Sequence, residues 1–230
     1  EALENLLLYI LKNAVSASLS AVVASIVLAY PEKTFDIACG FFKVREFIQF
    51  DFIRKNINEH EAGSLYRMGS FSSNDIFTNE RLESCKENHR QTCLEDLFLR
   101  YQFVNVGNVS EEEVKSRQKI LWEIIDDYYT ALPPESQQSE DDKIWRIALV
   151  RIDRRKMTIK VQPQSDKQYI LTFEPEIPKS IQDYQKESQK KTDSFSEHIS
   201  LNLWASYRWS NDKRVENYKK YEDSPALVVE

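Results

Sequence analysis

The sequence predicts a mostly α-helical protein, an α-solenoid or irregular helical bundle carrying one small β-hairpin at about residues 157–173. Three observations lead there. Only 4 glycines occur in 230 residues, too few for a turn-dense all-β chain or a glycine-rich phosphate loop. Apolar residues recur at helical spacing through most of the chain, and strict alternation appears in one short stretch only. Hydrophobic residues make up 41% and charged residues 30%, the balance of a chain that buries a core beneath a charged surface.

The first helix is marked by Leu3, Leu6, Leu7 and Ile10, and Lys12 closes its stripe. Residues 13–31, NAVSASLSAVVASIVLAYP, carry no charge and are rich in Ala, Ser and Val. Small side chains let helices approach closely, so this stretch reads as a buried central helix, capped by Ser16 or Ser18 and running to Tyr30. It approaches the ~20 residues a membrane span requires, but Ala and Ser dominate it. A packed helix is the expectation, with no membrane partner. Pro31 suits the first turn of a third helix, PEKTFDIACGFF, and VREFIQFDFIRKNI continues as a fourth. Residues 58–79 turn polar and form a loop-rich link.

A long polar helix is expected from Glu80 to Val104. It would place Cys85, His89 and Cys93 at i, i+4 and i+8, inviting a metal reading. On a straight helix the outer Cα atoms stand ~12 Å apart, too far for both thiolates to reach one ion. No metal and no cofactor are assigned. Ser110 followed by three glutamates is a capping box that opens a helix carrying Val114, Ile120, Leu121, Ile124, Ile125 and Tyr128, which Pro133 and Pro134 end. The acidic group Glu123, Asp126 and Asp127 reads as a solvated face.

Residues 141–156, DDKIWRIALVRIDRRK, form an amphipathic helix with a basic end. Arg151, Arg154, Arg155, Lys156 and, just beyond, Lys160 are the candidate interaction patch, either cations that complement the helix dipole and pair with Asp153 or neighbouring acids, or a phosphate and nucleic-acid contact. MTIKVQ and QYILTF alternate, and PQSDK between them makes a hairpin. A polar helix at 179–191, a second from Ser194 or Ser196 with Ile199, Leu203, Trp204 and Tyr207 on one side, and a closing helix at 213–222 complete the chain. The expected organisation is packed antiparallel helices at 1–57, the link at 58–79, a helical hairpin at 80–132, and helices with the inserted β-hairpin at 139–230, with one continuous helical domain as the alternative.

A net charge of −6 opposes whole-surface attraction to nucleic acid. Three cysteines without a disulfide spacing suggest a reducing, cytoplasmic setting. With Glu1 in place of an initiator Met, the chain reads as a segment of a longer protein.

Two groups of residues carry a family resemblance: AVVASIVLAYPEKTFDIA with FFKVREFIQFD, and WRIALVRIDRRKM with FEPEIP, SLNLWASYRW and YKKYED. Together they resemble the helical region of very large bacterial STAND-type P-loop NTPases, some of which act in antiphage defence. The resemblance covers most of the chain, loosely between Asn58 and Leu132. It implies a repeat-like helical region that senses a protein partner, or other domains of the parent chain, and is not itself an enzyme. The ATP-binding module lies elsewhere in that family, and no G-x-x-x-x-G-K-[ST] occurs in these 230 residues. No functional residue carries over. A nucleic-acid-binding module centred on the basic patch is the alternative.

Overall fold

The computed structural model describes residues 2–59, 80, 83–165 and 168–223. The loop-rich link expected at 58–79 falls almost wholly outside the described residues, as do the hairpin tip and the last seven residues. The described fold is mostly α-helical with one two-stranded antiparallel sheet. Its backbone divides into two compact units, Glu1–Glu176 and Ile177–Glu230.

In the first unit, α1 (Ala2–Asn13) and α2 (Ala17–Ala29) pack on each other across a three-residue connection. The Ser16 hydroxyl accepts from Ser18 N–H at 3.2 Å and opens α2, one of the two caps the sequence offered. The long third helix divides into a 3₁₀ turn at Pro31–Lys33 and α3 (Phe35–Phe42). Thr34 marks the junction, its buried hydroxyl donating back to the Tyr30 carbonyl at 2.9 Å. α4 (Arg45–Ile53) then passes into a π-helical turn at Arg54–Glu59.

The core centres on α3 and on α5 (Leu94–Phe103), not on α2. Six of the eight α3 residues are buried, and Phe42 stacks on Phe98 with ring centroids 4.3 Å apart. Tyr101 sets its ring edge-on to Phe35 and donates its hydroxyl to the Pro31 carbonyl at 2.6 Å. α6 (Glu111–Ala131) and α7 (Glu140–Ile152) add Leu121, Ile124, Ile125, Trp145, Leu149 and Ile152 to the same cluster. Only Val23, Ala24, Val27 and Leu28 of α2 are buried. The expected buried helix is therefore half covered: Leu19 and Val22 are exposed, the latter to 53%. Its composition specified an apolar surface but not that neighbours exist on every side.

The helix expected over 80–104 is replaced by turns at residues 85–91 ahead of α5. The cause is capping from two sources. Asp96 accepts from Cys93 N–H at 2.9 Å, and Asp51 of α4 reaches across to accept from Leu94 N–H at 2.7 Å. Asp51 also accepts from Arg54 Nε at 2.6 Å, and that guanidinium donates on to the Arg90 and Thr92 carbonyls. Asp51→Ala should cost about 1–2 kcal/mol, since it removes the cap and an ion-pair partner together. Asp51→Asn keeps an acceptor and should cost less. Urea unfolding measures both, and accelerated exchange of the Leu94 amide would locate the loss at the start of α5.

Ser110 caps α6 through Glu113 N–H as expected, but the Glu113 carboxylate turns to Arg117 at 2.9 Å and does not complete the box; the reciprocal capping box forms on α7, where Ser139 and Asp142 supply a cap that the sequence reading did not single out. Between α5 and α6 the chain turns at Gly107, whose φ of +90° is the left-handed region; a Cβ there would stand 3.2 Å from the Glu32 carbonyl oxygen.

The hairpin joins β1 (Met157–Ser165) and β2 (Gln168–Pro175), with Ile159 opposite Phe173 and Val161 opposite Leu171. β1 runs three residues further toward the tip than the alternation alone suggested, and β2 runs two residues further at its far end, to Pro175. Phe173 packs on Phe103 of α5 at 4.2 Å, but Ile159 and Val161 are exposed, so only the root of the apolar face is covered.

The second unit is built on one helix, α8 (Lys179–Trp209), where two were expected. Thr192 returns its hydroxyl to the Ser188 carbonyl at 3.1 Å, and Lys191 pairs with Glu187 one turn back, so the polar residues support the helix and cap nothing. Trp204 and Tyr207 of α8 meet Tyr221 and Tyr218, whereas Ile199 and Leu203 of the same expected face are exposed. The closing segment forms a 3₁₀ turn at Lys213–Tyr218 and a short helix α9 (Lys220–Asp223), not one charged helix.

Candidate functional site

The basic patch takes its geometry from the end of α7. Helix α7 stops at Ile152, and Asp153, wholly buried, accepts from Arg155 N–H at 3.0 Å, folding Arg154–Lys156 into a 3₁₀ turn. Of the five cations only Arg151 lies in the last turn of α7, so complementing the helix dipole accounts for one residue and not for the group.

Each cation is engaged inside the first unit. Arg151 makes a two-pronged pair with Glu95 of α5, at 2.7 and 3.0 Å, and lays its guanidinium 4.8 Å from the Phe52 ring centroid. Arg154 donates to the Gln102 carbonyl and stacks over Phe103 at 4.8 Å. Arg155 forks onto Asp126 of α6 at 2.6 and 3.1 Å while its Nε meets Asp153 at 2.9 Å. The Lys156 ammonium sits 3.6 Å from the Tyr129 ring centroid. Across the hairpin, Lys160 pairs with Glu174 at 2.6 Å. Planar guanidinium groups suit such two-pronged and stacked contacts.

The Arg155–Asp126 pair has a consequence for pH dependence. Hydrogen bonds from Arg155 hold the Asp126 carboxyl below its ordinary value. Its folded value lies below its unfolded one near 3.9, so its stabilisation is present above about that pH and is lost as pH falls through the lower folded value. Asp126 is largely exposed, which limits the contribution to under ~1 kcal/mol. Asp126→Asn should therefore lower stability slightly at pH 7 and by less at pH 2.5 in urea titrations. An equal loss at both pH values would show that the charge pair is not the cause.

At the centre of the junction is a residue with little in its sequence context to mark it. Gln102 of α5 is fully buried. Its amide nitrogen donates to the Ile152 carbonyl at 2.7 Å and to the Phe98 carbonyl at 3.2 Å. Its side-chain oxygen accepts from Trp122 Nε1 at 3.2 Å and from Arg154 N–H at 3.3 Å. One side chain thus joins α5, α6 and the end of α7. The only sequence signal was a polar residue inside the apolar run LFLRYQFV.

Cys85, His89 and Cys93 do not share a helix face, because Cys85 and His89 lie in the turns before α5 and Cys93 is its N-cap. Burial pushes the Cys39 and Cys93 thiols up to about 12, with Asp36 and Asp96 adding to it, so neither is a thiolate near neutral pH. Among the described residues, no group of three or more His, Cys, Asp or Glu side chains is placed to hold a metal ion. No described helix is long and apolar enough to cross a membrane.

The class defined by these features is a helical packing module with an ion-paired, aromatic-stacked junction. No protein-family profile matches the chain, and no curated protein matches it in sequence.

Proposed function

We propose that the chain is a non-catalytic helical segment of a large bacterial NTPase that senses a protein partner or another domain of its parent, in the setting of phage defence. The NTPase and defence parts of this reading rest on the resemblance of the stretches quoted above. The observation that carries the partner-sensing part is α2, a charge-free helix that leaves Leu19 and Val22 exposed. A helix apolar on all sides is ordinarily buried.

The engagement of all five cations weighs against the nucleic-acid alternative. Phosphate binding would have to compete with Glu95, Asp126 and Glu174 for the same donors.

Calorimetric titration with Mg·ATP is the direct test, and no binding to this chain is expected. Tight, magnesium-dependent binding would overturn the reading. In parallel, titration with duplex DNA and with RNA at low salt should show at most weak association, unchanged by Lys156→Ala. Salt-sensitive binding that weakens in Lys156→Ala would replace the proposal with the nucleic-acid module.

A further inference from the structure

We draw no further inference here: the strongest candidate, the apolar groove of about 270 Å³ between α2 and α4 that is lined by Ala17, Ala21, Ala24, Phe47 and Phe50, borders the exposed surface already described, and nothing in the structure shows what covers it.

Discussion

Replacing Gln102 by leucine is expected to cost about 2–4 kcal/mol of folding stability, although the two side chains are close in size. Leucine fills the space but accepts and donates nothing. The Ile152 carbonyl loses its 2.7 Å partner at the end of α7, and Trp122 Nε1 and Arg154 N–H lose their shared acceptor. A buried polar group left without a partner costs ~1–3 kcal/mol. Trp122 is only half-buried and regains part of its loss from water, which keeps the total below a simple sum of three. Urea unfolding followed by tryptophan fluorescence measures the change. Thr130→Ala, on the exposed side of α6, is the control and should stay within ~0.5 kcal/mol. A Gln102→Leu loss below ~1 kcal/mol would mean that the Gln102 side-chain hydrogen bonds are not what joins the three elements, which the Arg151–Glu95 and Arg155–Asp126 pairs and the apolar contacts would then hold together.

Gln102 also shows where the sequence stopped being informative. Features set by neighbours in the chain were legible. The cap of α6 is local, Ser110 with Glu113 N–H, and was read from the sequence; the equally local cap of α7, Ser139 with Asp142, was legible in principle but was not singled out. The hairpin was legible because alternation is a property of the strand itself. Features set by distant partners were not. The start of α5 is decided by Asp51, 43 residues away, so the polar run from Glu80 looked like one uninterrupted helix. The fusion that makes α8 has a different cause. Ser194 and Ser196 have the chemistry of caps, but the helix runs unbroken through them, and the neighbouring Thr192 and Asp193 bond back within it.

The same division runs through the candidate site. The five cations were visible as a cluster, but the partner of Arg151 lies 56 residues away and one partner of Arg155 lies 29 away. Charge density in a sequence is therefore compatible with a ligand site or with an internal lattice of pairs, and the fold decides between them. Here the acids and aromatic rings come from α4, α5, α6 and the hairpin, which is why the patch reads as a junction once it is assembled. The overestimate of α2 has the opposite origin. Its composition is a correct record of apolar surface, but coverage depends on how many helices reach it.

That difference between apolar and covered yields the second large effect. Phe42→Ala should destabilise the chain by about 3–5 kcal/mol, the range for removing an aromatic ring from a packed interior. Phe42 is wholly buried, stacks on Phe98 with planes 6° apart and lies 6.3 Å from Tyr101, at the meeting of α3 with α5. Its neighbours are themselves fixed. Tyr101 is tied to the Pro31 carbonyl and Tyr128 to the Phe42 carbonyl, so the cavity cannot close cheaply. Phe50→Ala on α4 removes the same ring from a side chain that is 67% exposed and should cost under ~1 kcal/mol in the isolated chain. Urea unfolding of the two variants at several protein concentrations separates the possibilities. If Phe50→Ala costs as much as Phe42→Ala, and increasingly so at higher concentration, the α2–α4 face is covered by self-association and cannot be the open sensing surface. If Phe42→Ala is mild, the α3–α5 contact is not the centre of the core.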